Sequence, residues 1–179
     1  MSPFELAAAF AVGVAVVVAA GVTLAIYNAV VALRQRIDKA WANIEVALKQ
    51  RWDQLPNLVA AVRDVMTFER DTLTEIARLR SAYAPGEPIA AQAVTSDATS
   101  AALRRLFAVV ENYPQLKSAA NVLDLQNEIE RLEDVIADRR ELYNDQVYRY
   151  NTRIAQLPAA FLAPLFGWQP RPYFRADPA

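Results

Sequence analysis

The apolar residues Ile37, Trp41, Ile44, Leu48, Trp52, Leu55, Val59, Val62 and Met66 follow one another at steps of three and four. Their mean spacing is close to 3.6 residues, the period of a straight helix with one apolar face. Charged residues such as Glu45, Lys49 and Arg63 fall off that stripe. Glu45 and Lys49 stand four apart in the favourable order. Trp41 is expected in the core. A second series, Leu103, Leu106, Phe107 and Val110, marks a helix near Asp97 to Asn112, with Ser96 or Asp97 as its cap. A third runs from about Asn121 to Gln156. It uses Val122, Leu125, Ile129, Leu132 and Ile136, then Tyr143, Val147, Tyr150, Ile154 and Leu157. The pattern lapses at Arg139 and Arg140. Either one of them enters the seam and meets a carboxylate, since an unpaired buried charge is costly, or both reach out to water. No segment alternates with the period of a strand. The pattern predicts an all-α protein, an up-and-down antiparallel helical bundle of three to four long helices.

Pro56 interrupts the first stripe without changing its phase. Proline has no N–H for the Trp52 carbonyl and its ring crowds that oxygen, which costs about 3 kcal/mol inside a helix. Two readings stay open: a kinked continuous helix, or a helix that ends near Asp53 and restarts with Pro56 in its first turn. Unbroken phase favours the kink. Length favours the reversal, because one helix from Arg34 to Tyr83 would run about 75 Å. The stretch "APGEPIAAQAVTSDATS" after Tyr83 reads as the one long linker, and Pro114 breaks the chain again.

Ahead of these helices, no residue from Leu6 to Leu33 is charged. As a helix that run covers about 42 Å, against a hydrocarbon core of about 30 Å. Leu6 to about Ile26 is expected to span a membrane, with Tyr27 at the polar interface. A cleaved secretory signal fits less well, because the first five residues carry no Lys or Arg. The expected organisation is a membrane anchor and interface at 1–33, a bundle at 34–160 and an aromatic, proline-rich tail at 161–179. Arg34, Arg36 and Lys39 follow the span, so the positive-inside rule leans towards a cytoplasmic body, single-pass in the cell (inner) membrane. Ala9 with Gly13, and Gly21 with Ala25, give small-xxx-small spacings that chance alone produces in so alanine-rich a span.

Composition then removes whole classes of chemistry. The 19 basic and 20 acidic residues give a net charge of −1, unlike the basic surplus of a nucleic-acid-binding protein. There is no Cys and no His, hence no thiol nucleophile, disulfide, imidazole ligand or histidine acid–base group. Four glycines leave no Gly-rich phosphate loop. Only carboxylate chemistry survives. Glu128, Glu130, Glu133 and Asp134 read as a solvated face rather than a metal site. The expectation is a protein that is not an enzyme and uses no cofactor.

Four separated segments, in order, carry a resemblance: "YNAVVALRQRIDKAWANIEVALKQRWDQLPNLV" (27–59), "ENYPQLKS" (111–118), "YNDQVYRYN" (143–151) and "FGWQPRPYF" (166–174). Together they resemble the LemA family over nearly the whole chain from Tyr27 onward. The resemblance implies four up-and-down helices behind an N-terminal membrane segment, and no established catalytic activity. Some members resemble lipoproteins, with bodies outside the cytoplasm. This chain has no cysteine for that modification, and the side of the membrane stays open.

Within these segments, Arg51, Asp53, Pro56 and Asn57 form either a polar recognition patch beside a bend or a set of caps, with Asp53 or Asn57 satisfying N–H groups freed at the proline. Asn144 and Asn151 are seven apart, beside Tyr143 and Tyr150. They are expected to bond across to a neighbouring helix and fix its register, or else to line a ligand site. Tyr27, Phe166, Trp168, Tyr173 and Phe174 are the candidate membrane-interface residues. The segment 161–174 is expected to return to the membrane beside the anchor, or to seal the end of the bundle. That return was tied to a reversal at Pro56; a continuous helix there leaves three helices, and a C-terminus that points away. The function expected is a membrane-anchored interaction or scaffold module in the bacterial envelope, or alternatively a membrane-remodelling or lipid-sensing protein. Its expected partners are the lipid bilayer and an unidentified membrane or envelope protein, with homo-oligomers possible and nucleic acid excluded.

Overall fold

A computed structural model describes residues 2–63, 66 and 70–175. It is all-helical among those residues, with six helices: α1 (Pro3–Arg63), α2 (Arg70–Ala82), α3 (Ile89–Val110), α4 (Pro114–Lys117), α5 (Ala120–Ala155) and α6 (Ala159–Phe166). The last four residues of the tail assigned to 161–179 lie outside the described residues.

The chain divides into two compact units, each made of two separated stretches. One is Met1–Asp38 with Gln146–Arg171; the other is Lys39–Asp145 with Pro172–Ala179. In the first unit, Ser2 opens α1: its Oγ accepts from the Glu5 N–H at 3.3 Å while Glu5 Oε2 accepts from the Ser2 N–H at 2.7 Å. This reciprocal pair is a capping box, and it satisfies amides that a helix start leaves orphaned. From Pro3 to Val22 every residue is exposed, and burial begins with Ile26, Val30 and Ile37.

In the second unit the stripe read from the sequence is the buried face of α1. Ile44, Leu48, Trp52, Leu55 and Val62 are buried, as is Met66 beyond the helix end. Helix α2 runs antiparallel to this part of α1. Trp52 stacks on Tyr83 just past the end of α2, with centroids 4.9 Å apart, and a groove of about 330 Å³ lies between Leu55, Val59 and Arg63 on one side and Ile76 and Arg80 on the other. Burial, then Glu45 nearby, pushes the Tyr83 phenol above its ordinary value. Helix α5 is also antiparallel to α1. Going up α1, Trp41 meets Tyr143, the Asn43 carbonyl meets Arg139, and Arg51 meets Glu133.

Two expectations need correction. Of the two readings open at Pro56 the reversal falls and the continuous helix holds, because α1 passes through the proline to Arg63. The turn-back comes later, because α2 is a separate helix starting at Arg70. Pro56 is half-exposed at the edge of the α1–α2 groove, where a missing helical bond is tolerated. Pro56→Ala is expected to restore a donor for the Trp52 carbonyl and raise stability by about 2 kcal/mol, the helix-interior cost less the restriction proline places on the unfolded chain. Chemical denaturation of the two proteins checks the sign.

The second correction concerns the linker. Only Tyr83–Pro88 is non-helical, and α3 already begins at Ile89. Ser96 and Asp97 therefore lie inside α3 and cap nothing. The face that α3 buries is made of Gln92, Ala93, Ser96, Thr99, Ala102, Leu103, Leu106 and Val110. Its first half is small and polar, so hydrophobic periodicity passes over it.

Candidate functional site

Arg51 is the largest polar group in the interior, with no exposed surface. It projects from α1 towards α3 and α5. Its Nη1 donates to Glu133 Oε1 at 2.6 Å and to Ser100 Oγ at 3.0 Å, and its Nη2 donates to Ser96 Oγ at 2.9 Å. Ser100 Oγ in turn donates to the Ser96 carbonyl at 3.1 Å. The spacing of four between the serines puts both hydroxyls on one face of α3. Arg51 Nε has no hydrogen-bond partner. The two hydroxyls face a guanidinium, which only donates and removes no proton from them. This centre is built to hold a charge inside the helices.

The other members of the first candidate patch do not join Arg51. Asp53 accepts from Lys49 Nζ at 2.6 Å on the surface, and Asn57 Nδ2 donates to Gln54 Oε1 at 3.1 Å. Neither caps an amide freed by Pro56. Glu133, read from the sequence as a solvated carboxylate, is the one that meets Arg51. Glu128 and Glu130 do stay on the surface, paired with Arg131 and Gln126. Among the described residues, no three Asp or Glu side chains are grouped to hold a metal ion. At the lapse in the α5 pattern, Arg140 meets Asp97 of α3 at 2.7 Å, while Arg139 donates to the Asn43 carbonyl.

The hydrogen bonds of the paired Tyr-Asn motifs of α5 hold the tail, whereas a neighbouring helix was expected to receive them. In the first unit, Tyr150 Oη donates to the Gln169 carbonyl at 3.1 Å. Asn151 takes both backbone groups of Arg171: its Oδ1 accepts from the N–H at 2.8 Å and its Nδ2 donates to the carbonyl at 3.0 Å. In the second unit, Tyr143 Oη donates to the Pro172 carbonyl at 2.9 Å. Asn144 treats Phe174 as Asn151 treats Arg171, accepting from its N–H at 2.8 Å and donating to its carbonyl at 3.4 Å. A side-chain amide offers one donor and one acceptor side by side, which matches one residue of extended backbone. Phe174 is fully buried, 5.6 Å from the Trp41 ring and 5.5 Å below the Arg140 guanidinium.

The aromatic candidates accordingly separate. Tyr27 packs against Phe166 at 5.1 Å and Trp168 at 6.3 Å, and the last two stack at 5.2 Å. The tail segment thus lies beside Tyr27 within the first unit, although α1 is continuous through Pro56. Trp168 and Phe174 are buried within the protein, so they do not offer their rings to a membrane. Tyr173 is half-buried under Arg175 at 5.2 Å. Phe161 and Leu165 of α6, inside the segment 161–174 but not among the five named interface candidates, carry the large exposed surface instead. Their exposure could have been sought in the spacing of four that they share with Leu157.

An exposed apolar N-terminal run, a buried arginine centre and a tail fixed by Tyr-Asn pairs define a protein that is all-helical among the described residues. The chain belongs to the LemA family: the family's sequence model matches residues 40–179, most of its length. It is also similar to the magnetosome proteins MamQ 1 and MamQ 2 of Paramagnetospirillum magneticum, each 40% identical over 78 residues. The magnetosome protein MamQ of Magnetospirillum gryphiswaldense is 37% identical over 78 residues. In each case the match takes in 44% of this chain and 29% of the relative.

Proposed function

We propose that the protein is a single-pass membrane-anchored, up-and-down helical bundle that acts as an interaction or scaffold module and catalyses no reaction. The observation that carries the reading is the exposed apolar run of α1. Its most apolar 18-residue window has a mean hydropathy of 2.5 and is only 6% buried. A soluble protein hides such a segment in its core; this one leaves it outside, at a length that suits a bilayer. The bundle surface is left for a protein partner in the bacterial envelope.

The full chain is expected to stay with membranes through alkaline carbonate and to leave them only in detergent. Recovery in the carbonate supernatant overturns the anchor. Crosslinking in native membranes is then expected to capture a defined envelope protein. A turnover that co-purifies with the chain, and that disappears when one of its carboxylates is replaced, overturns the non-catalytic reading.

A further inference from the structure

We infer that α6 is a second membrane contact, a short helix lying in the lipid interface with Leu157, Phe161 and Leu165 among the acyl chains. The inference rests on the anchor reading above and extends it.

Three observations in the first unit carry it. First, α6 lacks the polar outer face of a soluble helix. No Asp, Glu, Lys or Arg occurs between Arg153 and Arg171. Phe161 and Leu165, spaced by four on α6, are 76% and 75% exposed, and Leu157, in the turn just before the helix, is 68% exposed. The inward side is Ala159, which is fully buried. The most exposed large residues thus face outward, Leu162 is half-buried and the residue turned fully inward is the small Ala159, unlike a helix that serves only to close a core.

Second, the depth is right. A span from Leu6 to Ile26 covers about 31 Å as a helix, which places Tyr27 at the edge of the hydrocarbon. Phe166, at the end of α6, is 5.1 Å from the Tyr27 ring. Helix α6 is therefore held at headgroup level, where aromatic side chains are favoured.

Third, its length excludes the alternative of a second span. Eight residues reach only about 12 Å, and Gly167, at φ +64°, ends the helix. A short apolar helix beside a span lies in the interface rather than across it. Lipid is favoured over a second copy or a partner protein because the face is continuous, through Phe166 and Tyr27, with the surface that the anchor gives to lipid.

The chain has no cysteine, so single Cys residues can be labelled cleanly. The full chain, in vesicles of phosphatidylcholine and phosphatidylglycerol, would carry a spin label at Phe161→Cys or Leu165→Cys. Val17→Cys, in the span, and exposed Val46→Cys, in the second unit, serve as references. The labels at 161 and 165 are expected to be relaxed by oxygen more than by an aqueous nickel chelate, as at 17, with the opposite order at 46. Lipid access at 17 with water access at 161 and 165 overturns this inference and leaves the anchor standing. Water access at 17 overturns the anchor and this inference together. Shielding of 161 and 165 from both quenchers assigns the face to a second copy or a partner protein and likewise overturns the lipid assignment. A Phe161→Ser/Leu165→Ser variant keeps the buried side of α6. It is expected to fold and to bring a label at Leu157→Cys towards the water-accessible state.

Discussion

Glu133→Ala is expected to destabilise the protein by about 3–5 kcal/mol, and Arg51→Met by much less, although the two residues form one ion pair. The asymmetry follows from where each group sits. Arg51 has no exposed surface, whereas the Glu133 side chain is 28% exposed. Without Glu133 the guanidinium stays in the interior with its charge unbalanced. Two serine hydroxyls remain, and Nε is already without a partner. Without Arg51, Glu133 turns to water, and the thioether of methionine fills a similar volume beside Trp52 and the two serines. The double variant Arg51→Met/Glu133→Ala is expected to recover most of what Glu133→Ala loses. Denaturant midpoints for the four proteins give the coupling directly. Equal losses in the two single variants would show that the pair acts through packing, not through trapped charge.

Phe174→Ala should cost about 3–5 kcal/mol, the range for deleting a fully buried phenyl ring. Its effect is also local. The ring rests on Trp41 and beneath Arg140, and its backbone is the residue that Asn144 holds. Losing the ring therefore loosens both backbone bonds at Asn144. Hydrogen exchange is expected to quicken most at the Phe174 amide and to change little along α3. Replacing Asn144 by leucine keeps the ring but orphans both backbone groups of Phe174, each at a cost of about 1–3 kcal/mol. Unchanged exchange at residue 174 in both variants would show that the tail is held by something other than this grip.

Much of this architecture is legible in the sequence, and the exceptions have physical causes. The α1 stripe and the α5 series predict their buried faces almost residue by residue, because long helices packed on one side impose a 3.6-residue period on large apolar side chains. Leu157 departs from the series because α5 ends at Ala155. The start of α3 is hidden because its buried face uses Gln92, Ser96 and Thr99, which look like linker; of these, Ser96 receives Arg51. Pro56 left two readings open, and the continuous helix favoured by the unbroken phase is the one that holds. A local cost of a few kcal/mol reads as a break, but a long packed helix absorbs it. For the tail, aromatic composition predicted the neighbourhood of Tyr27. It could not separate Trp168 and Phe174, which face in, from Phe161 and Leu165, which face out. For Trp168 and Phe174 the difference depends on the fold of the non-helical run 167–175, which has no period to betray it.

The run Gln169-Pro170-Arg171-Pro172-Tyr173-Phe174 has a further logic. The two asparagines ask for an N–H at residues 171 and 174 alone. Prolines stand at 170 and 172, where neither asparagine draws on a donor. The imino acids stiffen the strand before it docks, and so reduce the disorder it gives up, without deleting either rung. Because the rungs read main chain rather than side chain, the letters at 169, 171 and 173 are open to drift across generations. The phase of the prolines is not. Slid by one position, the same composition would silence residue 171 and leave Asn151 addressing a ring with nothing to give.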